Sequence, residues 1–248
     1  MGTVAVVGGT GRMGTLVMTE LSAAGRTGVA LSRRTGFDLL GGSDAELASR
    51  LEGATAIIDC FDAPDHRAAS FTRAAQRLQL AAAAAGVERI VGLSIVGCDA
   101  PSLRSMPYYQ GKVAQEHGWH GGSVPARVVR TTQWFEFARM IFHPVGPLGP
   151  LGYLGVVPRM RMRPVAGRAV ARELVATADV AGGDREVAGP DEMTAAEMAR
   201  TVFGLHGRRV HVLTVPTPFR GFADGALLPG PDATLDTARL ADWAAEPR

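Results

Sequence analysis

The sequence predicts an α/β fold, a doubly wound parallel sheet with a small C-terminal substrate-binding cap. Three observations lead to it. The run Thr3–Val7 is unbroken and apolar, glycines follow it at once, and short apolar runs then alternate with helical patterns as far as Arg130. Apolar runs of this kind are typical of strands covered on both faces by crossover helices.

The elements follow one another regularly along the chain. Residues 12–24 carry apolar side chains at helical spacing, and Gly25 supplies the stop. The pattern then predicts strands at 29–31, 56–58, 89–93 and 126–130, with helices near 44–51 and 65–85 and a helix that carries Tyr108 and Lys112. Repeated strand and crossover helix units predict a Rossmann sheet, which binds ligands at the carboxyl ends of its strands.

After Arg130 the pattern loosens, and residues 144–164 are rich in Pro, Gly and Met. We therefore expect a single domain over residues 1–248. Residues 1–133 would form the dinucleotide-binding core, and residues 134–248 a smaller substrate-binding portion.

The amino-acid composition limits the kinds of molecule that this protein is expected to bind. The 26 basic and 24 acidic residues leave a formal charge of +2, and the arginines are mostly scattered, which argues against a nucleic-acid-binding surface. No apolar run approaches the roughly 20 residues of a membrane span. Cys60 and Cys98 are isolated thiols, which fits a reducing compartment. We expect a cytoplasmic protein with a small-molecule substrate, either a monomer or a homodimer.

Glycines recur every third residue between the first strand and the first helix, at Gly8, Gly11 and Gly14. Residues without a Cβ let the backbone approach a pyrophosphate, whose charge the N-terminus of the following helix favours. This turn, with Thr10, Arg12 and Met13 inside it, predicts a dinucleotide site.

The second strand ends in Ser32, Arg33 and Arg34. An acidic residue there would bind the adenosine ribose of NAD, whereas arginine accommodates the 2′-phosphate of NADP. Arg12 can approach the same phosphate. The sequence therefore favours NADP(H) as cofactor.

Lys112 is the only lysine among the 26 basic residues, and it follows Tyr108 by four positions. With the glycine turn, the Ser32-Arg33-Arg34 segment and Ser94, this pair resembles the short-chain dehydrogenase/reductase superfamily, and within it the atypical, NmrA-like NAD(P)H-binding group. The stretch 128–137 and the segment Ala188-Gly189-Pro190-Asp191-Glu192-Met193-Thr194 are similar to later motifs of that group.

The resemblance implies a Ser-Tyr-Lys site. Tyr108 would donate a proton to a carbonyl oxygen during hydride transfer, Lys112 would lower the pKa of that tyrosine and hold the nicotinamide ribose, and Ser94 would position the substrate oxygen. It also implies further cofactor contacts at Cys60, Phe61 and Thr131.

Large soft side chains gather after the last predicted Rossmann strand. Two interpretations stay open, namely core packing and an apolar slot for a flat aromatic or quinonoid substrate. The second would place Met106, Trp134, Phe135 and Phe137 against the substrate. We expect surface or core roles rather than metal binding for the pairs His117/His120 and His206/His211.

These features favour an NADPH-dependent reductase of a carbonyl or quinone group in a bulky, partly aromatic molecule such as a natural product. Two alternatives remain. One is an NADP(H)-binding redox sensor that signals through a protein partner, and the other is a non-reductive isomerase or cyclase on the same scaffold.

Overall fold

The computed structural model describes residues 2–147, 152–180, 182–204 and 209–246. Its strands are β1 (Thr3–Val7), β2 (Gly28–Leu31), β3 (Ala54–Asp59), β4 (Arg89–Ile95), β5 (Ala126–Thr131), β6 (His143–Pro147), β7 (Tyr153–Pro158), β8 (Arg161–Met162), β9 (Arg185–Ala188), β10 (Met193–Thr194), β11 (Val210–Val215) and β12 (Thr234–Leu235). Its α-helices are α1 (Arg12–Ala23), α2 (Asp44–Leu51), α3 (Ala68–Ala84), α4 (Pro107–His120), α5 (Ala138–Ile141), α6 (Gly167–Thr177), α7 (Ala195–Gly204), α8 (Arg220–Asp224) and α9 (Leu240–Ala245).

The central sheet is parallel throughout and has the strand order β12-β9-β5-β4-β3-β1-β2. The chain first steps from β1 to β2 and then crosses to the other side of β1 at β3. This reversal is the topological switch point, where a crevice opens at the carboxyl ends of the strands. The predicted doubly wound parallel sheet is confirmed.

Helices cover both faces of this sheet. On one face, α2, α3 and α4 enclose a core that includes Leu47, Leu78 and Trp119. On the other, α1 and α6 pack against each other and contribute Val17 and Leu174. Because both faces are covered, β1 is buried along nearly its whole length, which is why its sequence shows no polar alternation.

Helix α4 lies close to α3 and to the sheet because glycines stand at three contacts. A Cβ at Gly111 would overlap the ring of Phe71, and one at Gly118 would approach Ala75. Gly92 of β4 faces the fully buried indole of Trp119. The helix continues through Gly118 to His120. Gly118 serves close packing there.

The C-terminal portion adds to the sheet as well as to the cap. Strands β9 and β12 extend the central sheet beyond β5, and α6 packs on α1. The expected boundary after residue 133 thus separates the first five strands of the sheet from its last two. The cap proper contains the pair β8-β10 and the small sheet β11-β7-β6, which lie around a third apolar core. Residues 148–151 of its Pro- and Gly-rich segment lie outside the described residues.

Within the described ranges, every helix is too short or too polar to span a bilayer.

The contact between Gly92 and Trp119 can be tested by Gly92→Ala. A methyl group there would overlap the indole, and because cores resist overpacking we expect the free energy of unfolding to fall by about 1–3 kcal/mol. Urea unfolding followed by circular dichroism measures it. Gly183→Ala, where a Cβ meets open space, is the matched control. Equal losses in both variants would contradict the packing argument.

Candidate functional site

A groove of about 740 Å³ lies at the carboxyl ends of β1, β2 and β3, at the switch point of the sheet. Trp134, from the segment after β5, closes one side. The predicted cofactor residues that line it are Gly8, Thr10, Gly11, Arg12, Met13, Ser32, Arg33, Arg34, Cys60 and Phe61. Sequence reasoning missed others, which are Val7, Leu31, Phe37, Asp38, Leu39, Leu40, Asp62 and Pro64.

The glycine turn has the geometry that its spacing predicted. Gly8 has φ +71°, and its N–H donates to the carbonyl of Leu31 at 2.8 Å. Gly14 does not line the groove, but a Cβ there would overlap the Gly8 carbonyl. The first turn of α1 has no acidic residue, and its N-cap Gly11 provides no side-chain cap. The helix N-terminus therefore presents uncapped N–H groups to an anion in the groove.

The end of β2 is tied to the glycine turn through hydroxyl groups. Thr10 Oγ1 donates to Ser32 Oγ at 2.9 Å. Ser32 caps the short turn Arg33–Thr35 by accepting the N–H of Thr35 at 3.3 Å. These bonds fix where the side chains of Arg33 and Arg34 leave the backbone.

Positive charge collects at this end of the groove. Arg12, Arg33 and Arg34 are exposed along it, and within the described residues none of the three forms an ion pair with a carboxylate. Arg12 Nη1 rests against Met140 Sδ at 3.7 Å. Asp38 is the acidic residue nearby, and its Oδ1 accepts the N–H of Leu40 at 3.0 Å. An anion with several oxygens would find unpaired guanidinium groups here.

Lys112 and Thr131, also predicted to contact the cofactor, do not line the groove. Thr131 is buried, donates its hydroxyl proton to the carbonyl of Thr132 at 3.0 Å and accepts Trp134 Nε1 at 3.3 Å. It thereby orients Trp134, which does line the groove.

Lys112 is only 4% exposed. Its Nζ donates to the carbonyl of Leu93 at 2.8 Å and to Gln115 Oε1 at 2.6 Å. The ammonium also lies over the rings of Phe71 and Trp119, 5.5 and 5.7 Å from their centroids. Burial lowers the pKa of Lys112, against the raising effect of nearby Asp62 and Asp59.

Asp59, at the end of β3, is fully buried. Its Oδ2 accepts Trp119 Nε1 at 3.0 Å, and its Oδ1 accepts the N–H of Phe61 at 2.9 Å. Burial raises the pKa of Asp59 to about 6, although these hydrogen bonds and Lys112 act in the opposite direction. The structure shows a carboxylate that joins the loop after β3 to the end of α4.

Tyr108 lies one helical turn before Lys112 and is half-buried. Its hydroxyl lies near the Asp62 carboxylate, and its ring centroid lies 4.8 Å from that of His66. Burial raises the pKa of Tyr108 above its ordinary value, and Asp62 and Tyr109 raise it further. The resemblance implied that Lys112 would lower the pKa of this tyrosine. In the structure the pKa is raised instead, because the phenol is buried and the charge beside it is the Asp62 carboxylate.

Ser94 is fully buried, and its Oγ pairs with Cys98 Sγ at 3.8 Å. Cys98 Sγ in turn donates to Glu116 Oε1 at 3.5 Å, and Arg130 binds that carboxylate. Burial is the main cause that raises the pKa of Cys98 to about 12, and the Glu116 carboxylate is the second. The Ser94 hydroxyl is thus covered by protein in this arrangement, and its contact with a substrate oxygen stays a prediction.

The expected apolar slot is only partly present. Trp134 lines the groove, whereas Phe135 is 1% exposed and packs against Trp243, 5.5 Å between ring centroids. Met106, the N-cap of α4, and Phe137 are half-buried at the edge of the same third core. Core packing is thus the better interpretation for Phe135.

Metal binding finds no support in the part of the chain that the structure describes, where no group of three His, Cys, Asp or Glu side chains could hold an ion. His206 lies outside those residues.

Comparison with known proteins identifies the fold. No family profile matches the sequence, and no curated protein does. Solved structures match over nearly the whole chain. A short-chain dehydrogenase/reductase superfamily protein from Agrobacterium tumefaciens with bound NAD is 18% identical, with 98% of this chain and 96% of that one covered and a TM-score of 0.71.

Two further structures agree as well. The NADPH-dependent quinone oxidoreductase QOR2 of Escherichia coli, complexed with NADPH, is 17% identical over 98% of both chains, with a TM-score of 0.74. A nucleoside-diphosphate-sugar epimerase of Staphylococcus aureus is 12% identical over 98% of this chain and 100% of that one, also with a TM-score of 0.74. The chain therefore shares the Rossmann-like fold of these proteins.

The buried carboxyl of Asp59 predicts a dependence of stability on pH. The pKa of Asp59 is about 6 in the folded protein, above the ordinary 3.8, so folding favours the protonated carboxyl group. The stabilisation that this gives the folded state is complete below about pH 4 and is lost as the pH rises through about 6. Asp59→Asn removes this titration. We expect the free energy of unfolding of the unmodified protein to fall relative to the variant by about 3 kcal/mol over that window.

Urea unfolding at stepped pH measures this difference. Asp65→Asn is the control, because Asp65 is exposed and its pKa is lowered by hydrogen bonds from Arg67 and Ser70. Parallel stability profiles for the Asp59→Asn variant and the unmodified protein would refute the prediction.

Proposed function

We propose that this protein is an NADP(H)-dependent reductase of a carbonyl or quinone group in a bulky, partly aromatic substrate. The observation that carries the proposal is the cluster Arg12, Arg33 and Arg34, exposed without carboxylate partners at the adenosine end of a glycine-rich groove. An enzyme specific for NAD would need an acidic residue at the end of β2.

The residues around the groove fit the cofactor. The N–H groups of the glycine turn and of the first turn of α1 would hold the pyrophosphate, and the arginines the 2′-phosphate. Asp38 also lines the groove, and its Oδ1 accepts the N–H of Leu40. The NADPH complex of the E. coli quinone oxidoreductase, with the same fold, supports this assignment.

When bound, NADPH would supply a hydride to the carbonyl carbon of the substrate. The chain must then deliver a proton to the carbonyl oxygen. Tyr108 is the proposed donor, because its partner Asp62 lines the groove and its raised pKa keeps the phenol protonated at neutral pH.

Lys112 would orient the site. An ammonium has three donors, and the bonds to Leu93 and Gln115 use two of them. The bond to Leu93 also ties α4 to the end of β4, which holds Tyr108 at a constant distance from the sheet.

Substrate preference is proposed from the groove wall beside Trp134. The indole, together with the exposed Met140 that Arg12 of the groove contacts, offers apolar surface, which suits a flat or aromatic group. The quinone oxidoreductase with the same fold fits this preference.

A cofactor-binding sensor is the second candidate. It is favoured by the position of Ser94, whose buried hydroxyl leaves the Ser-Tyr-Lys set incomplete on the substrate side. A sensor would bind NADPH tightly without consuming it.

One assay separates the two candidates. Purified protein is mixed with NADPH and a panel of quinones and of polycyclic and aliphatic ketones, and loss of the nicotinamide absorbance is followed. Consumption with one chemical class supports the reductase. Tight binding without consumption across the panel would reject it in favour of the sensor.

The double variant Arg33→Asp/Arg34→Ala tests the cofactor preference. Loss of two cations and gain of a carboxylate should weaken NADPH binding about 100-fold and leave NADH binding within a few-fold, because only NADPH carries the 2′-phosphate. Titration calorimetry with both cofactors measures this. Arg73→Asp, at an exposed position on α3, is the charge-matched control. Unchanged NADPH affinity in the double variant would remove these arginines from the site.

Tyr108→Phe tests the proton donor. Removal of a general acid should lower kcat by about 100- to 10,000-fold while NADPH affinity stays the same. Tyr109→Phe is the matched control, because its ring is buried beside Phe222 and belongs to the third core. Turnover that survives in the Tyr108→Phe variant would contradict the assignment.

A further inference from the structure

The chain between β2 and α2 forms a turn, residues 37–42, that makes one wall of the groove. Residues 37–40 of this turn line the groove. Phe37 and Leu39 are buried in the core that α2, α3 and α4 enclose, and the N–H of Phe37 donates to the carbonyl of Ser32 at 2.9 Å. The turn is therefore joined to the end of β2 that carries Arg33 and Arg34, where the proposed function places the adenosine half of the cofactor.

Only local hydrogen bonds form within this turn. The N–H of Gly42 donates to the carbonyl of Asp38 at 2.7 Å, and the N–H of Leu40 donates to Asp38 Oδ1 at 3.0 Å. These bonds close the turn but do not attach it to the rest of the protein. In addition to the packing of Phe37 and Leu39, the position of its backbone beside the groove needs a polar contact from another element.

Arg77 of α3 supplies that contact. Its Nη1 donates to the carbonyl of Leu39 and its Nη2 donates to the carbonyl of Gly42. Its Nε donates to Asp44 Oδ1, in the first turn of α2, at 2.7 Å. Within the described residues, no other side chain from outside the turn donates to the turn backbone.

The guanidinium group suits this contact better than an ammonium would. It has five N–H donors in one plane, so it can bind three acceptors that lie in different directions. Its side chain is only 10% exposed, which keeps these bonds largely out of water. Without Arg77, two carbonyl groups would lose a charged donor, and the turn would move to bring them to water. Such a movement would alter the groove wall, although Arg77 itself does not line the groove.

We propose that Arg77 is a positioning residue for the cofactor, which holds the turn in the conformation that receives the adenosine half of NADPH. The inference rests on the cofactor assignment within the proposed function. Because the wall is already formed before binding, the cofactor does not have to order it, and affinity rises accordingly.

The competing explanation is that Arg77 serves the stability of the fold alone. Loss of Arg77 would then lower the fraction of folded protein, but each folded molecule would bind the cofactor as before. Affinity and stability must therefore be measured separately.

Titration calorimetry with NADPH and with adenosine 2′,5′-bisphosphate tests the positioning role. Arg77→Ala should weaken the binding of both ligands by about 10- to 100-fold, the range expected for the loss of hydrogen bonds to a charged group. Both should lose affinity by the same factor, because the bisphosphate contains only the half that would face the turn. Arg73→Ala, at an exposed position one turn earlier on α3, is the matched control. Unchanged affinity of the Arg77→Ala variant for either ligand overturns the proposal.

Arg77→Lys keeps the charge and the aliphatic part of the side chain but loses the fork. Its single nitrogen cannot span all three acceptors, so we expect it to bind NADPH at least about 5-fold more weakly than the unmodified protein. This variant also decides the question if Arg77→Ala does not fold. Native affinity in the Arg77→Lys variant overturns the proposal.

Guanidinium ion offers a rescue experiment. Added at millimolar concentration to the Arg77→Ala variant, it should occupy the space of the missing group and restore part of the affinity for NADPH. A loss of global stability would not be repaired in this way, because guanidinium destabilises folded proteins. Absence of rescue overturns the role assigned to the fork.

Kinetics give a second readout with the substrate class that the NADPH assay identifies. In the Arg77→Ala variant the KM for NADPH should rise by about 10- to 100-fold, with kcat at saturating NADPH within about two-fold of the unmodified protein. A role in stability alone would lower kcat and leave KM unchanged. That result overturns the proposal.

Failure of this inference and failure of the proposed function give different results. If the unmodified protein and the Arg77→Ala variant bind NADPH equally well, the positioning role is overturned and the cofactor assignment stands. If the unmodified protein binds neither ligand, the cofactor assignment is rejected and the role of Arg77 falls with it. Tight binding by the unmodified protein and weak binding by the variant support both, whether or not a ketone or quinone is reduced.

Discussion

The carboxylate of Asp59 joins the two parts of the molecule that must meet for any chemistry in the groove. It accepts Trp119 Nε1 from the end of α4 and the N–H of Phe61 from the loop that forms the groove wall. One buried acceptor therefore sets both the position of the helix that carries Tyr108 and the start of the loop that carries Asp62. Burial of this group disfavours its charge, and Lys112 compensates part of that cost.

The charges around α4 form a layered arrangement. Lys112 is buried near two carboxylates, the buried one of Asp59 and the exposed one of Asp62. Burial disfavours the charged ammonium, and both carboxylates favour it. Because Lys112 is held in this way, it does not reach the phenol of Tyr108 as the resemblance implied. Burial and the nearby Asp62 carboxylate instead raise the pKa of this tyrosine above its ordinary value.

Close packing makes this arrangement possible. Gly92 leaves space for the indole of Trp119, and Gly111 lets Phe71 lie under Lys112. A side chain at either position would move α4 away from the sheet, and the bonds of Lys112 to Leu93 and of Trp119 to Asp59 would lengthen together. The geometry of the site thus depends on packing in the layer beneath it, where interiors tolerate little change of volume.

The sequence alone determined the alternation of strands and helices, the glycine turn and the arginines after β2, because periodicity and Cβ-free positions express local requirements of the chain. It did not determine which side chains meet across elements. Ser94 was expected to face the substrate but turns to Cys98, and Phe135 enters the core. Asp62 and His66 meet Tyr108 only because α3 and α4 pack closely. β9 and β12 join the sheet although their segments are too short for a clear pattern. Such pairings depend on the relative position of distant segments, which the tertiary structure alone decides.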